Sequence, residues 1–216
     1  MGNRPIWVWP VIAGLATLLV IFASLLILRP AADDMPRLGE VRSSGRADIG
    51  GPFTLINHEG ETVTEADFEG RAMLIYFGFT YCPDICPFSL QIMDAALDQL
   101  SAEDRARIQP VLITIDPERD TVENMAAYVS SDTFPDGLVG LTGSPEQIAA
   151  VAAEYRVVYR RAEDSSGDPD AYVMDHSSII YLMDETGTFS RVFSHGTSPA
   201  DMAASLQDFL DEERAS

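Results

Sequence analysis

Lysine is absent from this sequence, and cysteine occurs only twice. Without lysine there is no amine for Schiff-base chemistry and no P-loop lysine to hold a nucleotide phosphate. Two cysteines do not make a disulfide-stapled scaffold, and a chain of 216 residues does not need one. A domain of roughly 150 residues already buries most of its apolar surface. The cysteine pair therefore requires a chemical explanation. Positive charge is also scarce. All 14 basic residues are arginine, set against 34 Asp and Glu. Arg4 and Arg29 flank an apolar stretch and no acid precedes Asp33, so the excess of acid falls entirely on the chain from Asp33 onward. Such a surface repels nucleic acid and anionic lipid headgroups and keeps a domain soluble; it also favours a basic partner or a cation.

One long apolar run is present. Residues 6–28 carry no charge and are rich in Leu, Ile, Val and Ala, with Trp7 and Trp9 near the start. About 20 apolar residues cross a bilayer core, and tryptophan suits its interface. The run ends Leu-Leu-Ile-Leu-Arg-Pro, which is no cleavage site, although Ala31-Ala32 just beyond it leaves a cleaved signal peptide as the alternative. Residues 1–29 are therefore expected to be an uncleaved membrane anchor, and the polar stretch 30–48, with prolines, glycines and Ser43-Ser44-Gly45, a tether. A short N-terminus favours its retention in the cytoplasm, placing residues 49–216 on the periplasmic side of the inner membrane. That compartment is oxidising, which matters for a dithiol.

From residue 51 strand and helix signals alternate. Residues 53–56 and a turn at 57–60 predict a small hairpin; 72–79 (AMLIYFGF) and 111–115 (VLITI) are continuous apolar runs that predict buried strands. Residues 87–100 have a helical apolar face. Asp120-Thr121-Val122-Glu123 predicts a capping box opening a helix to about Val129, and Ser144-Pro145 and Ser198-Pro199 open two more. Residues 138–141, 157–159 and 178–183 are further strands, the last two flanking an acidic insertion at 163–170, and 189–193 closes an antiparallel hairpin. The fold expected is α/β and thioredoxin-like: a mostly parallel central sheet with an antiparallel terminal hairpin, helices on both faces, and an extra N-terminal β-hairpin.

Cys82 and Cys86 fall where the strand at 72–79 gives way to the helix. Free N–H groups and the dipole at a helix N-terminus stabilise thiolate, which serves both as a redox nucleophile and as a ligand for soft metals. Three residues separate the cysteines, where thioredoxin-type dithiols have two, and Asp84 adds a negative charge; both features favour a bound cation over a free nucleophile. A disulfide stapling the helix start is the plainer alternative. Of the three histidines, His58 reads as a solvated turn residue and His195 as a loop residue. His176 precedes the strand at 179–183, where a thioredoxin-like sheet normally holds a cis-proline facing the cysteine helix, so its imidazole is expected near the thiols. Asp175 is placed to orient the ring or to cap the loop, and Met174 to pack locally. Two thiolates and an imidazole suit Cu(I), Cu(II) or zinc. Zinc prefers a closed four-ligand shell, and no fourth strong ligand is evident, which favours copper.

Three segments carry a resemblance: Cys82-Pro83-Asp84-Ile85-Cys86-Pro87, the run from Ile115-Asp116-Pro117 through Glu118-Arg119-Asp120-Thr121, and Asp175-His176-Ser177-Ser178 with the strand after it. Together they closely resemble the Sco/SenC family over about 49–210. The resemblance implies a copper-binding protein that helps assemble the binuclear copper centre of cytochrome c oxidase. The family's copper ligands correspond to Cys82, Cys86 and His176. The oxidase's copper-bearing subunit and other copper chaperones are the partners it implies. The segment 116–121 matches the family without supplying a ligand, and it reads as a tight turn and helix cap with Arg119 ready for an acidic neighbour. A thiol–disulfide reductase that keeps partner cysteines reduced, with Cys82 and Cys86 as its redox pair, is the competing function. A peroxidase of the peroxiredoxin type is disfavoured because Thr80-Tyr81-Cys82 lacks the proline that precedes the reactive cysteine there.

Overall fold

Seven consecutive buried residues make β4 (Ala72–Gly78), and seven more make β5 (Ile108–Thr114). Side chains of a strand alternate between faces, so an unbroken buried run means that both faces are covered. The computed structural model of the chain describes residues 40–42, 49–163 and 172–215. The expected membrane anchor and most of the tether lie outside these residues, as does most of the acidic insertion. Among the described residues no helix is long and apolar enough to cross a membrane.

The remaining strands are β1 (Glu40–Arg42), β2 (Thr54–Asn57), β3 (Thr62–Thr64), β6 (Val139–Thr142), β7 (Tyr159–Glu163), β8 (Tyr172–His176), β9 (Ile179–Met183) and β10 (Phe189–Ser194). Of these ten strands, eight form one sheet in the order β1-β10-β9-β4-β5-β6-β2-β3. At its centre β4, β5 and β6 run parallel. The closing hairpin β9–β10 is antiparallel and lies beside β4, and the extra hairpin β2–β3 joins the far edge antiparallel to β6. The fold is thioredoxin-like.

Among the described residues the α-helices are α1 (Ile85–Leu97), α2 (Ala102–Ala106), α3 (Val122–Val129), α4 (Pro145–Glu154) and α5 (Pro199–Ala215), with one 3-10 turn at Glu65–Phe68. Helices α1 and α5 pack on each other, and α3 packs on β6. The start of α4 is as expected: Ser144 caps it, Gln147 completes the capping box and Pro145 occupies the first turn. Proline is unusual inside a central strand because it cannot donate to the ladder. Pro110 is tolerated in β5 because pairing with β6 begins only at Val111.

Four expectations change. Residues 40–42, inside the stretch read as tether, form edge strand β1 against β10. The short helix α2, capped by Ser101 on the Asp104 N–H, was not anticipated. The cap of α3 is Thr121, whose hydroxyl accepts from the Asn124 N–H; Asp120 is turned inward instead. His176 ends a strand, β8, that pairs with β7 as a separate two-stranded sheet.

Candidate metal centre

Strand β4 delivers the chain to the cysteines. Past Gly78 the backbone turns, with the Cys82 N–H reaching the Phe79 carbonyl at 3.3 Å, and α1 begins at Ile85. Gly78 is required by space: a Cβ there would lie 2.7 Å from Tyr76 Cε1 and 3.1 Å from Cys86 Sγ. The strand therefore runs directly beneath the second cysteine.

Helix α1 has Asp84 at its N-cap, but the carboxylate caps nothing. The free N–H groups turn to sulfur instead, with the Cys86 N–H 3.4 Å from Cys82 Sγ. Cys82 is half-buried, and its thiol is brought down to about 5. The largest cause is a hydrogen bond from Cys86; the backbone N–H groups of Asp84, Cys86 and Ile85 add to it against the cost of burial. Cys86 is fully buried and moves the opposite way, pushed up by its bond to Cys82, by burial and by the Cys82 charge. The N–H groups around Cys82 and the burial of Cys86 thus favour the thiolate on Cys82 and the proton on Cys86. The expectation that Asp84 opposes thiolate here is offset by its own N–H, which supports it.

The imidazole of His176 arrives from β8. Its Nε2 lies 3.7 Å from Cys86 Sγ, and its Nδ1 lies 3.2 Å from the Ser177 carbonyl. A carbonyl only accepts, so Nδ1 carries the proton and Nε2 turns its lone pair towards the sulfur. The ring packs edge-on to Tyr76 and Phe79, each 6.0 Å away between centroids. Burial holds its pKa below the ordinary histidine value, against smaller opposing effects of the Ser177 carbonyl, Cys82 and Asp175. The ring is therefore neutral at neutral pH, the form a metal needs. Ser177 fixes the tautomer. Asp175 instead pairs with Arg160 across the hairpin at 2.7 Å, in the open.

Two donors sharing one ion at metal–sulfur ~2.3 Å and metal–nitrogen ~2.0 Å stand about 3.5–3.8 Å apart at tetrahedral or trigonal angles. The Cys86–His176 gap of 3.7 Å has that spacing. Among the described residues no three His, Cys, Asp or Glu side chains stand in finished metal-ligating geometry, so closing the set takes a side-chain movement. Cys82, half-exposed in its loop, has the freedom to make it. The other histidines stay apart: His58 accepts the Gly140 N–H at 3.2 Å in a structural role, and His195 is exposed. Met174 packs against the core and lines a shallow apolar pocket with Ile115, Pro117 and Tyr172.

The sequence did not reveal Tyr76. It reads there as one more apolar residue of a buried run, yet its hydroxyl sits 3.7 Å from Cys86 Sγ.

The profile of the family described as SCO1/SenC matches residues 41–211. This chain belongs to that family. A mitochondrial SCO1 homologue of Arabidopsis thaliana is 45% identical over 151 residues, 70% of this chain and 44% of that protein. The chain thus spans about half the length of that relative. A SCO2-like protein of Rickettsia conorii is 37% identical over 199 residues, which are 92% of this chain and 95% of its own. Among solved structures, Bradyrhizobium japonicum ScoI with copper bound is 40% identical with a TM-score of 0.66, covering 74% of this chain and 99% of its own. The SCO1/SenC profile spans both cysteines and His176, and it reaches back to Val41 and Arg42 of β1, in the stretch that composition alone assigned to the tether.

Proposed function

We propose that this chain is a copper metallochaperone that takes up Cu(I) or Cu(II) as cargo on Cys82 Sγ, Cys86 Sγ and His176 Nε2. The observation that carries this reading is the neutral imidazole whose unprotonated nitrogen lies 3.7 Å from the Cys86 sulfur. Copper in the 40%-identical Bradyrhizobium structure supports the choice of ion. The recipient is the copper-bearing subunit of cytochrome c oxidase, with other copper chaperones as donors. Residues 6–28 anchor the chain in the inner membrane and hold the domain in the periplasm, where the half-exposed Cys82 is open to a partner's thiolates. Exchange of copper between thiolates needs such an open, low-coordinate site.

Copper stoichiometry of the full chain, reduced and then equilibrated with Cu(I), tests the assignment. One equivalent is expected for the native chain, and it is lost on Cys82→Ala, Cys86→Ala or His176→Ala. Full retention by the His176 variant removes the imidazole from the set.

A second reading rests on the asymmetry of the dithiol. A thiol brought down to about 5 beside a buried, protonated partner is also the arrangement of a disulfide reductase. The Cys82 thiolate attacks one sulfur of the partner's disulfide, forming a mixed disulfide and expelling the partner's other sulfur as thiolate. The Cys86 thiol then gives up its proton to that thiolate and attacks the Cys82 sulfur, expelling the second partner sulfur as thiolate and closing a Cys82–Cys86 disulfide. This function needs both sulfurs and not His176, so disulfide reduction by His176→Ala separates the two readings.

A further inference from the structure

The segment 116–120 supplies no donor, yet it grips both halves of the site. Strand β8 ends in His176 and belongs to a two-stranded sheet outside the main one, so ladder bonds to the main sheet do not locate it. Side chains do. Tyr172, Met174 and His176 face inward along β8 while Val173 and Asp175 face solvent. The Tyr172 hydroxyl donates to Asp116 Oδ1 at 2.6 Å, and its carbonyl accepts from Arg119 Nη1 at 3.0 Å. The Arg119 guanidinium lies 3.6 Å from the Tyr172 ring centroid, and that of Arg161 3.7 Å. Arg119 Nε closes the circuit on Asp116 Oδ2 at 2.5 Å.

The same turn reaches the cysteines. The Asp120 N–H bonds to the Asp116 carbonyl at 2.9 Å. Asp120 is fully buried, and its carboxylate accepts the Thr80 N–H at 3.1 Å and the hydroxyls of Thr80 and Thr114, each at 2.6 Å. Thr80 stands two residues before Cys82. The residue between them, Tyr81, is stacked under Arg119 with its centroid 4.8 Å away.

We infer that residues 116–120 form a positioning clamp: Asp116 and Arg119 hold β8 and with it His176, Asp120 holds the loop that carries Cys82, and the single turn between the two aspartates sets the distance from imidazole to thiolates. None of these residues touches the ion; they are positioning residues, and the inference rests on the copper-binding function proposed for the chain. The clamp has a weak arm. Cys86 is built into a helix, while His176 rides on a hairpin located by side-chain bonds. Loosening Tyr172 therefore detaches the nitrogen donor and leaves both sulfurs in place.

Tyr172→Phe tests this in the full chain, because it keeps the ring and its stacking and deletes only the bond to Asp116. Copper affinity is measured by chelator competition for the native chain, Tyr172→Phe, His176→Ala and the double variant. Nitrogen coupling is read from the paramagnetic resonance spectrum of the Cu(II) forms. Loss of an outer partner of a metal ligand typically weakens binding about tenfold or more. Tyr172→Phe is expected to bind copper about tenfold more weakly, with thiolate-to-copper charge transfer retained and nitrogen coupling reduced. In the His176→Ala background the same change is expected to have an effect of less than about twofold, because its route to the metal is gone. Native affinity and nitrogen coupling in Tyr172→Phe would overturn the clamp, as would an undiminished loss in the double variant. If the native chain takes up no copper, the functional reading fails and hydrogen exchange decides the clamp. Tyr172→Phe is then expected to speed exchange of the β8 amides and not of β4, and unchanged β8 exchange would overturn it.

Discussion

All seven residues of β4 and all seven of β5 are buried, whereas β8 alternates between covered and exposed positions and contacts its surroundings through a tyrosine hydroxyl, an arginine and a carboxylate. The first region is held by apolar area removed from water, at about 25 cal/mol per Å², a force without direction. The second adds to the packing of Met174 and the His176 ring a set of hydrogen bonds worth only about 0.5–1.5 kcal/mol net each, but with strict geometry. The difference separates stability from function. The sheet centre sets whether the chain folds and carries the two sulfurs at the end of β4; β8, outside the main sheet, sets where the nitrogen stands.

Four changes break or sharpen that contrast. The largest effect is expected at the centre. Leu112, fully buried in β5, replaced by Ala should cost about 2–5 kcal/mol in denaturant unfolding, while the molecules that remain folded keep native copper stoichiometry. Next comes the seam between the regions. Gly78→Ala pushes a methyl group against Tyr76 and Cys86 and should cost about 1–3 kcal/mol. Unlike Leu112→Ala, it should also shift the thiolate-to-copper absorption of the folded protein.

The third change is pH, acting on the donors themselves. Cys82 has its thiol lowered from 9.0 to about 5 in the native state. Between those values the native chain holds thiolate while the unfolded chain holds the proton, so this contribution to stability is present at high pH and is lost as pH falls through about 5. His176, also lowered, works in the same direction: the unfolded chain takes up the proton first as pH drops below the ordinary histidine value. Melts of the reduced, metal-free chain should therefore weaken on acidification. Thiolate ultraviolet absorbance should titrate with a midpoint near 5 and lose that transition in Cys82→Ala. The smallest effect is expected at Arg160. Its pair with Asp175 is exposed, so Arg160→Ala should cost at most about 0.5 kcal/mol and leave copper affinity unchanged. A clear fall in affinity would restore Asp175 to the role of orienting the His176 ring.

The same contrast explains what was legible in the sequence. Continuous apolar runs announce β4 and β5, and the position of Cys82 and Cys86 between run and helix announces a thiol site. The strand carrying His176 was not legible. Tyr172–His176 is five residues beside an acidic stretch, it pairs among the described residues only with β7, and its inward face offers no continuous apolar run. Asp120 was misread for a physical reason: Asp ahead of a helix usually caps it, and nothing in residue type tells that this one is buried on Thr80 and Thr114. The hydroxyl of Tyr76 became meaningful only when the chain returned over β4 as a helix and set Cys86 beside it. Strand β1 has three residues and no pattern; backbone pairing with β10 makes it a strand.

X-ray absorption of the copper-loaded full chain measures the nearest neighbours of the ion. Two sulfur scatterers and one imidazole nitrogen are predicted, with the imidazole signal absent from His176→Ala. A first shell of sulfur alone in the native chain, or an imidazole signal that survives in His176→Ala, would contradict the convergence of Cys82, Cys86 and His176 on one ion.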